Sequence, residues 1–220
     1  MVGPMRRGLP AFIATVVLGL CAAAPAARAA DDLPFVNWPS LLPALATGFT
    51  PNTFDVCVDG SPQCVQDTLA EMRSRLAVYD AQCDHRALFL RNYLTVTEHY
   101  ARTPTSAMQD PVYFNQEDAV FAKLYFDAVD AHAQGRRQDV PPAWRVALDA
   151  ARDKTVEGAG DLLLGINAHV QRDMPFMLAG LGLVTPDGRS RKPDHDLFNA
   201  VLSASFDEVY ARATAMDDPR

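Results

Sequence analysis

From Val65 onward, apolar residues recur three and four positions apart, and no run alternates apolar and polar residues for long enough to make a strand. A chain patterned in this way buries its apolar side chains only by coiling into helices and laying their stripes against one another. Val65, Leu69, Met72, Leu76 and Tyr79 share one face. Similar stripes predict helices at about residues 65–80, 84–101, 112–134, 142–156, 160–182 and 194–215. Pro104 with Pro111, Gly135 with Pro141 and Pro142, and Gly158 with Gly160 mark the breaks between them. Asp139 and Asp194 are placed to cap the helices that follow them. The expectation is an all-α fold, a single domain of about six helices over residues 64–216 after a loop-rich N-terminal segment at 30–63.

The first residues carry an address and belong to no fold. Arg6 and Arg7 precede an apolar run from Ala11 to Ala24, and Ala27-Arg28-Ala29 has the small residues a signal peptidase requires. Residues 1–29 are therefore expected to be a cleaved signal peptide, and the mature protein to be secreted. Its removal takes Arg6, Arg7 and Arg28 and leaves a charge of −10, against −7 for the whole chain. That acidity argues against a broad grip on nucleic acid. No later stretch is long enough to span a bilayer. The longest, Met174 to Val184, reads as core packing ahead of the lining of a lipid-sized pocket. Composition names neither a substrate nor a protein partner.

Export lets thiols pair. With the 64–83 interval helical, Cys64 and Cys83 stand about 27 Å apart, too far for a bridge. Cys57 with Cys64 is the favoured pair, closing a loop around Asp59-Gly60-Ser61-Pro62, and Cys57 with Cys83 is the alternative. The remaining thiol reads as a small buried apolar group ahead of a nucleophile.

Drawn end-on, three helices place ionisable groups among apolar ones. On the fifth, Leu162, Gly165, Ile166, Val170, Phe176 and Met177 form the apolar face, with His169 and Asp173 at its centre. An imidazole and a carboxylate four residues apart stack on a helix, close enough to hydrogen-bond or to share a metal ion. The competing reading makes His169 a neutral core histidine and Asp173 the cap of a segment begun by Pro175. On the third helix Asp118 sits among Phe114, Phe121, Tyr125, Ala128 and Val129, with Glu117 nearer the edge. On the second, His85 and His99 lie too far apart along one axis to share an ion. The sixth opens on Pro193-Asp194-His195-Asp196, where the acids suit a helix start and His195 is left unexplained. Chain length does not fix how near His195 comes to His169.

The segment Gly165-Ile166-Asn167-Ala168-His169-Val170-Gln171-Arg172-Asp173-Met174-Pro175, with Lys192-Pro193-Asp194-His195-Asp196 and Asn199 downstream and Cys83-Asp84-His85 upstream, resembles a family of uncharacterised exported bacterial proteins of unknown function. That resemblance runs from about Phe54 to Leu202 and implies no activity. His169, Asp173 and Pro175 are also similar to part of a motif in the zinc-dependent phospholipase C and single-strand nuclease superfamily. The further histidine of that motif is absent from Phe176 to Val184, and Trp38 is not the processed amino terminus, so a trinuclear zinc site is not implied.

The chain has no Gly-x-Ser-x-Gly, His-Glu-x-x-His, Cys-x-x-Cys or P-loop. Arg136-Arg137 and Arg189, Arg191 and Lys192 read as solvated loops, the second beside the polar residues of interest. Two functions follow as expectations. In one, Asp118, His169, Asp173 and His195 hold Zn²⁺, which activates a water against an ester or phosphoester with Asp196 as base. In the other, the same residues form a buried polar network that fixes helix register in a non-enzymatic binding or structural protein.

Overall fold

The computed structural model describes residues 55–214, so the leader and most of the loop-rich segment lie outside the described residues. All of its long elements are helices: α1 (Pro62–Ala81), α2 (Arg86–Ala101), α3 (Pro111–Ala133), α4 (Pro142–Asp153), α5 (Gly158–Asn167), α6 (Met174–Leu181) and α7 (Lys192–Thr214). A π-helical turn, Ala168–Asp173, joins α5 to α6 in one continuous rod, so six rods stand where six helices are expected. The single β-bridge among the described residues pairs Val184 with Ser190.

Helix starts follow proline chemistry. Pro62, Pro111 and Pro142 open α1, α3 and α4, where the missing N–H has no partner to lose. Asp110 caps α3 by accepting from the Tyr113 amide at 3.1 Å. The expected cap at Asp139 is not made. Pro141 stands at that position, and Asp139 pairs with Arg136 at 2.6 Å. Asp194 does not cap α7 either. Its buried carboxylate accepts from the Gln109 and Asp110 amides, both at 2.7 Å, and ties the start of α7 to the connection that enters α3.

α3 is the central element, with 15 of its 23 residues buried. It packs against α1, α4 and the α5–α6 rod, while α2 packs against α1 and α7. Phe89, Tyr93, Phe121, Tyr125 and Trp144 meet edge to face at centroid distances of 5.2 to 6.1 Å. Tyr100, Phe114, Val65 and Val201 form a smaller cluster, in which Tyr100 stacks on Phe114 and donates to its carbonyl.

The rod departs from the straight helix expected over 160–182. Pro175 has no N–H and its ring collides with the carbonyl four residues back, and the π turn immediately before it widens the backbone where that contact falls. The change of pitch separates the buried face of α5 from that of α6, and Ile166, which one wheel through 160–182 places inward, is 40% exposed. It also leaves Met174 to Val184 less buried than a core segment, since only Met177 is buried.

Cys57 and Cys64 form the disulfide, with Cα atoms 5.6 Å apart. Cys83 is free, and it is exposed where a buried thiol is expected, because it occupies the tight α1–α2 turn at φ 49°.

Gly165 lets the rod approach α2 closely: a Cβ there would meet the Phe89 ring at 2.7 Å. Gly165→Ala is expected to lower stability by about 1 to 2 kcal/mol, because overpacking outweighs the gain in helix propensity. Urea denaturation checks this. A midpoint equal to or above the parent's would show that the contact is not tight.

Candidate functional site

A carboxylate removed from water needs donors, and Asp173, at 0% exposure, has three. Its Oδ2 accepts from His169 Nδ1 at 2.9 Å and from Trp144 Nε1 at 2.8 Å, and its Oδ1 from Arg172 Nη1 at 2.6 Å. Arg172 lies over the Phe176 ring at 4.4 Å. The expected imidazole–carboxylate pair is thus present. It is joined by a tryptophan from α4 that the wheel of a single helix could not supply.

His169 stacks on Phe121, with centroids 3.5 Å apart and planes within 12°, and lies beside Tyr93 at 4.5 Å. Burial lowers its pKa from the ordinary 6.5 against the opposing pull of Asp173, so the ring is neutral near neutrality. With Asp173 accepting from Nδ1, the proton belongs on Nδ1 and the lone pair on Nε2. Nε2 is buried and has no hydrogen-bond partner.

Asp118 is buried two turns from Tyr125, and its Oδ2 is likewise without a partner. Burial, reinforced by the neighbouring Glu117 charge, raises its pKa to about 8. Tyr93 has an unpartnered buried hydroxyl, and its pKa is raised well above 10 by burial and then by the charges of Asp118 and Asp173. An imidazole nitrogen and a phenol, both short of partners, thus sit on rings 4.5 Å apart, and the charge of the protonatable Asp118 carboxyl is felt at that phenol.

His195 goes elsewhere. Its Nδ1 meets Glu117 Oε1 at 2.5 Å, which raises its pKa. Asp196 is exposed on α7 and held by Lys192 Nζ at 2.6 and 2.7 Å, so it does not serve His195 as a buried base. Asp118, His169, Asp173 and His195 do not converge as one ligand set. Among the described residues, Cys57, Asp59 and Cys64 alone bring three metal-binding atoms within 4.8 Å of one another, and there the two sulfurs are bonded together.

All five histidines of the chain face a carboxylate. Besides the two pairs already described, His85 meets Asp161 at 2.6 Å, His99 meets Glu208 at 2.8 Å and His132 meets Asp149 at 3.0 Å. Asp161 escaped the sequence reading, and Glu117, expected nearer the edge of its face, is buried. For Asp161 a signal existed: Asp161, Gly165, His169, Asp173 and Met177 recur every four residues, and all are buried. For Glu117 there was none, because a helix buried on most sides has no edge.

Residues 65–218 match the profile of a family of unknown function (DUF5995). No curated protein and no solved structure matches the chain. No helix among the described residues is long and apolar enough to cross a membrane.

Asp118 sets a pH dependence. Its pKa is about 8 in the fold against 3.8 unfolded, so between these values the folded state holds a proton that the unfolded chain has released. Stability from this group therefore falls as pH rises through that window. Asp118→Asn is expected to stabilise the protein at neutral pH, by a margin growing by up to about 1.4 kcal/mol per pH unit from pH 5 toward 8. Melting curves of both proteins across that range decide it, and a pH-independent difference would refute the shifted acid.

Proposed function

The chain belongs to the DUF5995 family, and we propose that its His169 centre is a hydrolytic site acting on an ester or phosphoester. His169 serves as base, Asp173 orients it and Asp118 serves as the protonated acid. The observation that carries this reading is the bare, buried Nε2 of His169, opposite an Nδ1 held by a carboxylate that Trp144 and Arg172 hold in turn. This layered support is what a base or ligand histidine requires, and a histidine present only for packing gains nothing from an orphaned nitrogen. The π turn that carries the pair adds weight, since such turns concentrate at functional sites.

The chemistry follows from the protonation states. Nε2 takes a proton from water as its oxygen attacks the carbonyl carbon or phosphorus, and Asp118 gives its proton to the leaving oxygen. The imidazolium then returns a proton to the Asp118 carboxylate, leaving one water consumed. His169 is 3% exposed, so substrate reaches Nε2 only when the enclosing rings part. A zinc ion held by His169 Nε2 would replace this acid–base scheme, since one lone pair cannot serve both, and His195 is held by Glu117. The reading takes the activity to lie outside the cytoplasm, from the leader expected at residues 1–29, and a Cys57–Cys64 disulfide is in keeping with export.

A second reading, a non-enzymatic domain whose polar network fixes helix register, is favoured by one observation: four of the five histidine–carboxylate pairs join different helices. The two separate on His169→Gln. The hydrolytic reading expects turnover of p-nitrophenyl esters or phosphoesters to fall by about 10²- to 10⁴-fold while the circular dichroism spectrum is retained. Equal rates in parent and variant, or no turnover by the parent, refute it. Repeating the assay after EDTA treatment shows whether a metal takes part.

A further inference from the structure

The loop that leads into α1 carries a cluster the His169 centre does not use. Cys57, Asp59 and Cys64 each bring a ligand atom within 4.8 Å of the others, and Asp59 Oδ1 stands 3.6 Å from Cys64 Sγ. Zinc bonds sulfur at about 2.3 Å and carboxylate oxygen at about 2.0 to 2.2 Å, so a sulfur and an oxygen at neighbouring corners of its tetrahedron lie about 3.6 Å apart. The carboxylate is therefore already at ligand spacing from the sulfur. A disulfide has no use for it there, because a bridged sulfur carries neither a charge nor a proton for a carboxylate to hold.

The loop is held by bonds other than its bridge. From α3, Gln116 Nε2 donates to the Val58 carbonyl at 3.0 Å and Asn115 Nδ2 to the Gly60 carbonyl at 2.8 Å. Gly60, at φ 59°, bonds the Cys57 carbonyl through its amide, and a Cβ there would collide with Val112. The Ser61 amide fixes Asp59 Oδ1 at 3.1 Å. Opening the bridge thus leaves the cysteines facing each other across Cα atoms 5.6 Å apart. Two zinc-bound sulfurs stand about 3.8 Å from one another, a separation that side-chain rotation reaches from there. Both cysteines are half-buried and line a cleft of about 230 Å³ between α1 and α3, which gives a thiol or an ion access to them. Its other charged groups are Lys123, held by Asp127, Glu71, held by Arg75, and Asp67, which accepts from the neutral Gln63, so the lining is negative and suits a cation.

We propose that Cys57, Asp59 and Cys64 form a redox-gated site for a zinc-class divalent ion. The structure shows the oxidised form. An external dithiol supplies two electrons and two protons, is itself oxidised to a disulfide, and splits the Cys57–Cys64 bond into two thiols. The ion displaces both thiol protons and is held by two thiolates and the Asp59 carboxylate, with water in the fourth position. Exchange with an external disulfide reverses the step and releases the ion. The site shares no residue with the His169 centre, so the two stand or fall separately.

The test uses the full chain with Cys21→Ser and Cys83→Ser, which leaves the two loop cysteines as its only thiols. After reduction with a phosphine, Co²⁺ is titrated as the spectroscopic stand-in for zinc. The reduced chain is expected to keep its helical circular dichroism and to develop a thiolate-to-cobalt charge-transfer band that saturates at one equivalent and is abolished by Zn²⁺. The oxidised chain is expected to show no band. Asp59→Asn is expected to weaken binding roughly tenfold or more. No band in the reduced chain overturns the proposal, as does a band in the oxidised chain. Equal affinity in Asp59→Asn overturns it too, since two thiols on an unbuilt loop would bind without regard to that carboxylate.

Discussion

The interior is organised around one buried anion. Asp173 lies where water cannot reach it, and an unpaired carboxylate there would cost several kcal/mol or take up a proton. The fold answers with three donors from two elements: the imidazole and guanidinium of the π turn and the indole of α4. The indole fixes where α4 crosses the rod, and the imidazole sets its own ring against Phe121 on α3. Three helical elements are thus registered to one another through a single side chain. The aromatic rings that enclose His169 follow from that registration.

The same device recurs elsewhere, as deeply buried at His85 and more open in the other three pairs. His85 with Asp161 joins α2 to α5, His99 with Glu208 joins α2 to α7, His132 with Asp149 joins α3 to α4, and His195 with Glu117 joins α7 to α3. Two of the shifts have opposite signs, and each follows from its surroundings. His195 is partly open, gains more from Glu117 than it loses by burial, and contributes stability that is complete below pH 6.5 and lost as pH rises through its raised pKa. His169 loses more by burial than Asp173 restores, so its contribution is lost as pH falls below 6.5.

Much of the helical order is legible in the sequence because it depends on local spacing. Pro111 and Pro142 fall at the expected starts of α3 and α4, while Pro62, read as part of the loop, opens α1 early, and the stripes on α1 and α3 bury as drawn. The inward placement of His169 and Asp173 was legible for the same reason, as was the favoured pairing of Cys57 with Cys64, which depends on a short loop. What was not legible is who meets whom across the core. Trp144 reaches Asp173, Glu117 reaches His195 and Asp161 reaches His85 over separations of 29 to 78 residues, and no helical wheel contains such information. The π turn misled the wheel a second way, because one wide turn rotates α6 relative to α5, and a single wheel drawn through both placed Ile166 inward where it is exposed. Asp194 shows the limit of capping logic, since a helix-start acid can serve the amides of a neighbouring loop in place of its own.

The proposed division of roles rests on the contrast between Asp173 and Asp118. Both are aspartates buried in the same helical interior, where an unpaired charge is costly. At Asp173 three donors offset that cost. At Asp118 the neighbouring charge is another acid, Glu117, and its pKa rises to about 8. One carboxylate is thereby set up to hold a fixed negative charge against an imidazole, and the other to carry a proton it can release near neutrality. On the proposed reading, acids in such different surroundings take the roles of orienting group and proton donor. A fold concerned only with its own cohesion has no need to separate them, because an asparagine at position 118 would fill the same space without the penalty.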